Sequence, residues 1–207
     1  MNKDLEAMRH SCAHLMAAAI TKLYPSAKFG VGPVVANGFY YDVDVFPRLT
    51  DENLEKIENK MREYQKAKLP FTQIKKPLDE AIKIFEKKNQ PYKVELLESL
   101  KNKGTTMPDE ADLPKDVSEE ISLYQTGEHF LDLCRGPHLE SADKIGAFKL
   151  TQIAGAYWRG NPDNPQLQRV YGLCFENQKQ LDEHLAILEE AKKRDHRKLT
   201  RACAPRI

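Results

Sequence analysis

VVANGFYYDVDV, residues 34–45, is the stretch that decides the fold of this chain. Asn37-Gly38 separates two apolar runs, which is a strong signal for a short β-hairpin. After this turn Phe39, Tyr41 and Val43 alternate with more polar neighbours, a pattern typical of a strand with one buried face. The stretch therefore predicts antiparallel β-structure.

Helices and further strands are predicted on both sides of this hairpin. Apolar residues recur at helical spacing from Leu5 to Leu23, and Thr50 is a candidate N-cap for a second helix that Pro70 ends. Two more helices are expected at about 77–88 and 178–199, and strands at 71–74, 121–124, 129–134, 148–158 and 168–175. The predicted fold class is α+β, an antiparallel sheet packed with several helices.

The composition excludes several classes of protein. The 207 residues carry 32 Lys and Arg against 31 Asp and Glu, so any nucleic-acid contact must come from local patches. Four scattered cysteines without a CxxC pair favour a reduced, cytoplasmic setting. No apolar run suits a secretion signal or a membrane span. Residues 104–118 are rich in Pro, Asp and Lys and predict an exposed loop.

Two histidines in the first predicted helix form half of a candidate site. His10 and His14 are four residues apart, so they share one helical face, nearly opposite the large apolar residues. Their neighbours on that face are Ala7, Ala17 and Ala18, which leave room beside the imidazoles. The helix is expected to use one face for the core and to offer the other to a cavity. A pair of surface or simply packed histidines explains the same spacing equally well.

The other half of the candidate site is the segment DLCRGPH, residues 132–138. Asp132 and Cys134 point to the same face of a strand, and Gly136-Pro137 turns the chain so that His138 can return beside them. CxxxH alone is a weak signal, because cysteine is often only a small buried hydrophobic residue. A zincin-type protease is disfavoured, since its helix needs Glu where this chain has Ser11.

Taken together, the HxxxH and CxxxH motifs are a stronger signal than either alone. Three imidazoles and one thiolate would make a tetrahedral zinc site. The same groups could instead form a metal-free site that polarises water. The residues by themselves leave both interpretations open.

With three further blocks, these motifs resemble the editing region of bacterial-type threonyl-tRNA synthetases. The blocks occur in the family's order with similar gaps: MRHSCAHL at 8–15, NGFYYD at 37–42, CRGPH at 134–138, AGAYWRG at 154–160 and RDHRKL at 194–199. A shorter set, HxxxH with CxxxH, marks the editing domain of alanyl-tRNA synthetases, and the Tyr-Trp-Arg-Gly block favours the threonyl branch. The resemblance implies one editing domain over residues 1–199 and assigns no function to the tail at 200–207.

The activity that the resemblance implies is hydrolysis of serine wrongly esterified to the 3′ end of threonine tRNA. It implies that His10 activates or holds the water, that Asp132 binds the amino group or hydroxyl of the substrate, and that His14, Cys134 and His138 complete the pocket wall. Tyr41 and Lys93 match family positions that contact substrate or position the water. The residues alone would make Lys93 an ordinary solvated lysine and Tyr41 a core-facing strand aromatic.

The resemblance also sets expectations for mechanism, cofactors and partners. We expect direct attack by water rather than a covalent Cys134 intermediate, and no required cofactor, although the four His and Cys side chains permit zinc. The implied partners are threonine tRNA and, in full-length family members, an ATP-binding aminoacylation core of the same chain. Basic residues at 192–198 fit tRNA contact, and fit an ordinary cationic helix end better.

Two alternative functions stay open. One is an alanyl-type deacylase that removes serine or glycine from alanine tRNA. The other is a non-catalytic module that binds tRNA or zinc.

Overall fold

The computed structural model describes residues 3–103 and 120–202, which form an α+β fold as predicted. The predicted loop at 104–118 and residues 203–207 of the predicted tail lie outside the described residues. The helices are α1 (Lys3–Leu23), α2 (Asp51–Lys66), α3 (Leu78–Lys87), α4 (Pro91–Lys103) and α5 (Gln178–Ala202). The strands are β1 (Lys28–Phe29), β2 (Val34–Val35), β3 (Gly38–Asp44), β4 (Phe71–Pro77), β5 (Glu120–Thr126), β6 (Phe130–Leu133), β7 (Ala147–Tyr157) and β8 (Gln166–Phe175).

The described strands form two antiparallel sheets. The large sheet has the order β1-β3-β8-β7, with β2 also paired to β3. The small sheet has the order β4-β5-β6. Period-two patterns identify individual strands, but they carry no information about which strands share a sheet.

The predicted hairpin is present, and its turn lies one residue earlier than expected. Val35 pairs with Gly38, so the turn residues are Ala36 and Asn37. Gly38 is required by close packing of strands, because a Cβ at this position would lie 1.9 Å from the carbonyl oxygen of Gly172 on β8. Beyond the turn, the alternation holds, and Phe39, Tyr41 and Val43 are fully buried.

Helix α1 is buried on all sides over residues 11–20, including the face that was predicted to be offered to a cavity. It packs against β3 of the large sheet and against β5 and β6 of the small sheet. Because both sheets meet this helix, the side that carries the histidines is covered as well. His14 is only 1% exposed, whereas His10 is half-buried. The histidines therefore lie at the junction of the two sheets.

Helix α4 has no counterpart among the predicted elements. Pro91 begins it, which is the position where proline is best tolerated, and Leu97 and Leu100 pack with α3 and β5 beneath the small sheet. Tyr92 and Leu96 from the same helix pack against the large sheet. This helix carries Lys93 into the centre of the molecule.

The other predicted helices are confirmed, with small differences in their ends. The backbone N–H of Thr50 donates to Asn53 Oδ1 at 2.7 Å at the start of α2, whose apolar stripe is buried. Helix α2 ends four residues before Pro70, and α5 continues past the predicted end. Among the described residues, no helix is both long and apolar enough to cross a membrane.

Candidate active site

The junction of the two sheets brings all seven predicted site residues together. Each of four elements contributes at least one of them: His10 and His14 from α1, Tyr41 from β3, Lys93 from α4, and Asp132 from β6, with Cys134 and His138 in the segment that follows. These side chains form two adjoining groups, a Cys–His cluster and an ionic network.

The Cys–His cluster is centred on the thiol of Cys134. Its Sγ lies 3.3 Å from His10 Nε2 and 3.2 Å from His138 Nε2, and it accepts the backbone N–H of Gly136 at 3.2 Å. Gly136 has φ +76°, a backbone conformation that glycine adopts at little cost. This turn returns His138 beside Cys134, as the sequence predicted.

Ser11 orients the imidazole of His138, a role that the sequence analysis did not anticipate. Its Oγ accepts the backbone N–H of Leu139 at 2.9 Å and lies 3.2 Å from His138 Nδ1. If Ser11 donates its hydroxyl proton to Nδ1, the imidazole proton of His138 lies on Nε2, facing Cys134.

The ionic network is centred on the buried carboxylate of Asp132. Lys93 Nζ forms an ion pair with Oδ1, while Tyr41 OH donates to Oδ2 and His14 Nε2 lies 3.2 Å from the same oxygen. Lys93 also donates to Tyr41 OH at 3.0 Å. Asp132 is 4% exposed and Lys93 is 2% exposed, so the interpretation of Lys93 as a solvated lysine is wrong.

Tyr41 combines the two roles between which the sequence could not choose. Its ring packs edge-on against Phe29 and Phe130 in the core, with centroids 5.5 and 6.0 Å away. Its hydroxyl reaches the Asp132 network. The strand therefore buries the ring and delivers a polar atom to the site, as tyrosine allows.

The two groups differ in their protonation. Burial alone would raise the pKa of Asp132, but Lys93 and His14 overcome it and hold that pKa well below its usual range. Burial and the nearby Asp132 raise the pKa of the Cys134 thiol to about 12. Burial and His14 lower the pKa of His10 to about 4, and burial with both other histidines lowers the pKa of His138 further. At neutral pH the site thus holds an ionised carboxylate, a thiol and neutral imidazoles at His10 and His138.

Four of these side chains fit a metal ion. The ligand atoms of His10, His14, Cys134 and His138 all lie within 4.8 Å of one another. His14 Nδ1 is buried and has no hydrogen-bond partner among the described residues, while Nε2 faces Asp132. A carboxylate behind an imidazole is the usual arrangement around metal-binding histidines, and three nitrogens with one sulfur suit zinc. Binding would require the Nε2 proton of His138 to leave.

Tyr124 is a further neighbour of the site that the sequence analysis missed. Its ring centroid lies 4.3 Å from that of His138. It pairs with Asp132 across β5 and β6, which places it beside the site.

Comparison with known proteins shows which sequences this chain is similar to. Residues 121–171, which include Asp132, Cys134 and His138, match the model of the threonyl and alanyl tRNA synthetase second additional domain. The chain is 49% identical over 194 residues to a threonine–tRNA ligase of Clostridioides difficile (strain 630), covering 94% of the chain and 28% of the relative.

Two further threonine–tRNA ligases have similar identity and coverage. A threonine–tRNA ligase of Acetivibrio thermocellus is 47% identical over 196 residues, and one of Citrifermentans bemidjiense is 50% identical over 197 residues. Both alignments cover 95% of this chain and 28% of the relative, so the chain spans less than a third of the length of these relatives. Residues 121–171 thus match the threonyl and alanyl tRNA synthetase second additional domain, and nearly all of the chain is similar to one part of threonine–tRNA ligases.

Proposed function

We propose that this chain hydrolyses serine from mischarged threonine tRNA, and so acts as an editing domain over residues 1–199. The observation that carries the proposal is the meeting of His10, Cys134 and His138 with the Asp132–Lys93 ion pair at one point of the fold. Sequence identity of 49–50% to threonine–tRNA ligases makes threonine tRNA the expected tRNA of the substrate.

His10 is the proposed acceptor of the water proton. It is half-buried and neutral, and its Nε2 faces the cluster, so in the tautomer that leaves Nε2 unprotonated it can take a proton from water as the oxygen attacks the ester carbonyl. The ester bond then breaks, and the ribose hydroxyl of the tRNA leaves with a proton. General-base help of this kind contributes about 10²–10⁴-fold, and an activated ester needs little more.

Lys93 is the proposed donor that orients the water or the ester carbonyl. Its ammonium group has three N–H donors; it donates to Tyr41 OH and is paired as an ion with Asp132 Oδ1. A remaining N–H is proposed to serve the reacting groups. Asp132 is engaged on both oxygens, so its proposed part is to hold Lys93, Tyr41 and His14; contact with the substrate, which the resemblance implied, would have to share those oxygens.

Cys134 is proposed to line the pocket rather than to attack the ester. A cysteine nucleophile must be a thiolate, and here burial and Asp132 keep the thiol protonated by raising its pKa. His14 and His138 complete the wall around it. This supports direct attack by water.

No cofactor is part of the proposed reaction. If zinc binds, His10, His14, Cys134 and His138 would hold it, and the ion would polarise the carbonyl or lower the pKa of water. The chain's own groups already supply an acceptor for the water proton and an oriented cation.

Selectivity is proposed to come from exclusion of one methyl group. Serine and threonine share the hydroxyl that a synthetic site recognises, and discrimination against a missing methyl is limited to about 10–200-fold. A second site can instead reject the larger amino acid, because placing an added methyl against a close-packed wall costs about 1–3 kcal/mol. The buried strand at Tyr41 and the Asp132–Cys134 segment are the proposed wall.

The proposed partners are threonine tRNA and, in full-length relatives, the aminoacylation core of the same chain, in the cytoplasm.

The test of the proposed function is single-turnover deacylation of seryl- and threonyl-tRNA(Thr) and of seryl-tRNA(Ala) at equal enzyme concentration. Rapid release of serine from threonine tRNA alone supports the proposal. Faster release from alanine tRNA would favour the alanyl-type deacylase, and release from none would favour a binding module.

A further inference from the structure

The Tyr-Trp-Arg-Gly block at 157–160 contributes no side chain to the site, yet it is built tightly into the fold. Trp158 is 3% exposed and packs in a small core of its own with Tyr92, Leu96 and Leu167. Two of these partners lie on α4, the helix that carries Lys93. The block is therefore one place where the large sheet contacts that helix.

Polar contacts reinforce this packing. The indole N–H of Trp158 donates to Glu95 Oε2 at 2.8 Å, and its ring lies 5.0 Å from that of Tyr92. Arg159 pairs with Glu95 at 3.1 Å and donates to Ser99 at 2.8 Å. The three partners, Tyr92, Glu95 and Ser99, lie within the first three turns of α4.

The backbone of Arg159 shows that these contacts outweigh a local cost. Its φ is +54°, in the left-handed region, where a residue with a side chain costs about 1–2 kcal/mol. Such conformations persist only where the surroundings hold them. Here the packing of Trp158 and the contacts of Arg159 with Glu95 and Ser99 are those surroundings.

The start of α4 is fixed to the same sheet by two further contacts. The Gln90 side chain accepts the Phe29 N–H and donates to the Ala27 carbonyl, both at 2.9 Å. Tyr92 OH donates to Asp44 Oδ2 at 2.9 Å. Lys93 follows directly, and its Nζ bridges Asp132 of the small sheet and Tyr41 of the large one. The position of its ammonium group thus depends on how α4 sits against the large sheet.

We propose that Trp158 and Glu95 are positioning residues that hold α4 on the large sheet and thereby keep Lys93 buried between Asp132 and Tyr41. The effect of this positioning on catalysis rests on the proposed editing function. The effect on the burial of Lys93 does not depend on that function. The two parts are therefore tested separately.

The first experiment measures the reactivity of Lys93 in the full chain with acetic anhydride and mass spectrometry, with the exposed Lys66 as internal reference. Glu95→Ala and Trp158→Phe both remove the indole–carboxylate contact, and Glu98→Ala is the matched control on an exposed position of α4. We expect labelling of Lys93 to rise roughly tenfold in the first two variants, as for loss of a hydrogen bond to a charged group, and to stay unchanged in Glu98→Ala. Labelling of Lys93 that matches the parent chain in both variants overturns the proposal.

The second experiment is a double-mutant cycle on single-turnover deacylation of seryl-tRNA(Thr). We expect Glu95→Ala to lower the rate constant about tenfold at saturating enzyme. Glu95→Gln should recover part of this loss, because its amide oxygen can still accept the indole N–H. In a Lys93→Ala background, Glu95→Ala should cause no further loss of rate. Full additivity of the two changes would refute the positioning role. If the parent chain releases no serine, the editing function fails, and the labelling result alone decides the positioning of Lys93.

Discussion

The two halves of the site differ in charge and in burial. Cys134, His10 and His138 form a half-buried cluster, in which burial raises the pKa of the thiol and lowers those of the imidazoles. Asp132 and Lys93, next to it, are almost fully buried and paired as ions. His14 contacts both halves through its ring and Nε2. The ionised half is therefore the proposed holder of the site geometry, and the neutral half is the proposed place of proton exchange.

The largest expected effect comes from breaking the ionised half. Lys93→Met leaves Asp132 buried without its cation, and we expect a loss of about 3–5 kcal/mol in the free energy of unfolding. Lys101→Met is the matched control on the same helix, because Lys101 and Asp79 form an exposed pair worth at most about 1 kcal/mol. Urea unfolding at pH 7 measures both. Equal losses in the two variants would contradict the assignment of Lys93 to a buried ion pair.

The neutral half is tested by its chemistry rather than by stability. His10→Asn removes the proposed proton acceptor, and we expect single-turnover release of serine to slow by about 10²–10⁴-fold with little change in tRNA affinity. Cys134→Ala should slow it less than about tenfold, because the thiol is not the proposed nucleophile. A serine thioester trapped on Cys134 would refute this division of roles.

The pH dependence of stability distinguishes the halves further. His10 has a folded pKa of about 4 against a usual 6.5, and burial also lowers the pKa of His138, so the unfolded chain binds more protons below pH 6.5. The contribution of these two histidines to the free energy of unfolding should therefore be fully present above pH 6.5. It should fall as the pH drops below 6.5, by up to about 1.4 kcal/mol per pH unit for each histidine.

Chemical unfolding between pH 7 and 4.5, with chelator present, measures this slope. His10→Asn and His138→Asn should each flatten it, whereas His184→Asn on α5 should leave it steep. A slope that survives the loss of both His10 and His138 would show that other groups cause it.

The smallest expected effect concerns the hydroxyl of Ser11. Ser11→Ala leaves the Leu139 N–H without its acceptor and removes the partner of His138 Nδ1, and we expect a loss of about 1 kcal/mol in stability. Nitrogen-15 NMR should show the Nε2–H tautomer of His138 in the parent chain and a mixture in the variant. Thr21→Val removes another hydroxyl from α1 and should leave the tautomer unchanged. An Nδ1–H tautomer in the parent would contradict the assignment.

Local patterns in the sequence predicted much of the fold. The hairpin before Phe39, the helix that carries His10 and the return of His138 after Gly136 all depend on near neighbours in the chain, so turn chemistry and periodicity were sufficient. Helix α4 was missed because Pro91 was not connected with Val94, Leu97 and Leu100, a spacing that does indicate a helix.

Spacing along the chain was enough to identify the side chains that could do chemistry here: two histidines on one helical face, an aspartate and a cysteine on one side of a strand end, and a third histidine beyond a glycine turn. The contacts of Lys93 and Tyr41 with Asp132, and the burial of His14, follow only from the folded structure, since they connect residues 39 to 118 positions apart. No local pattern encodes such contacts. They follow from the packing of two sheets on α1, which removes water from the junction and leaves each polar group dependent on a distant partner.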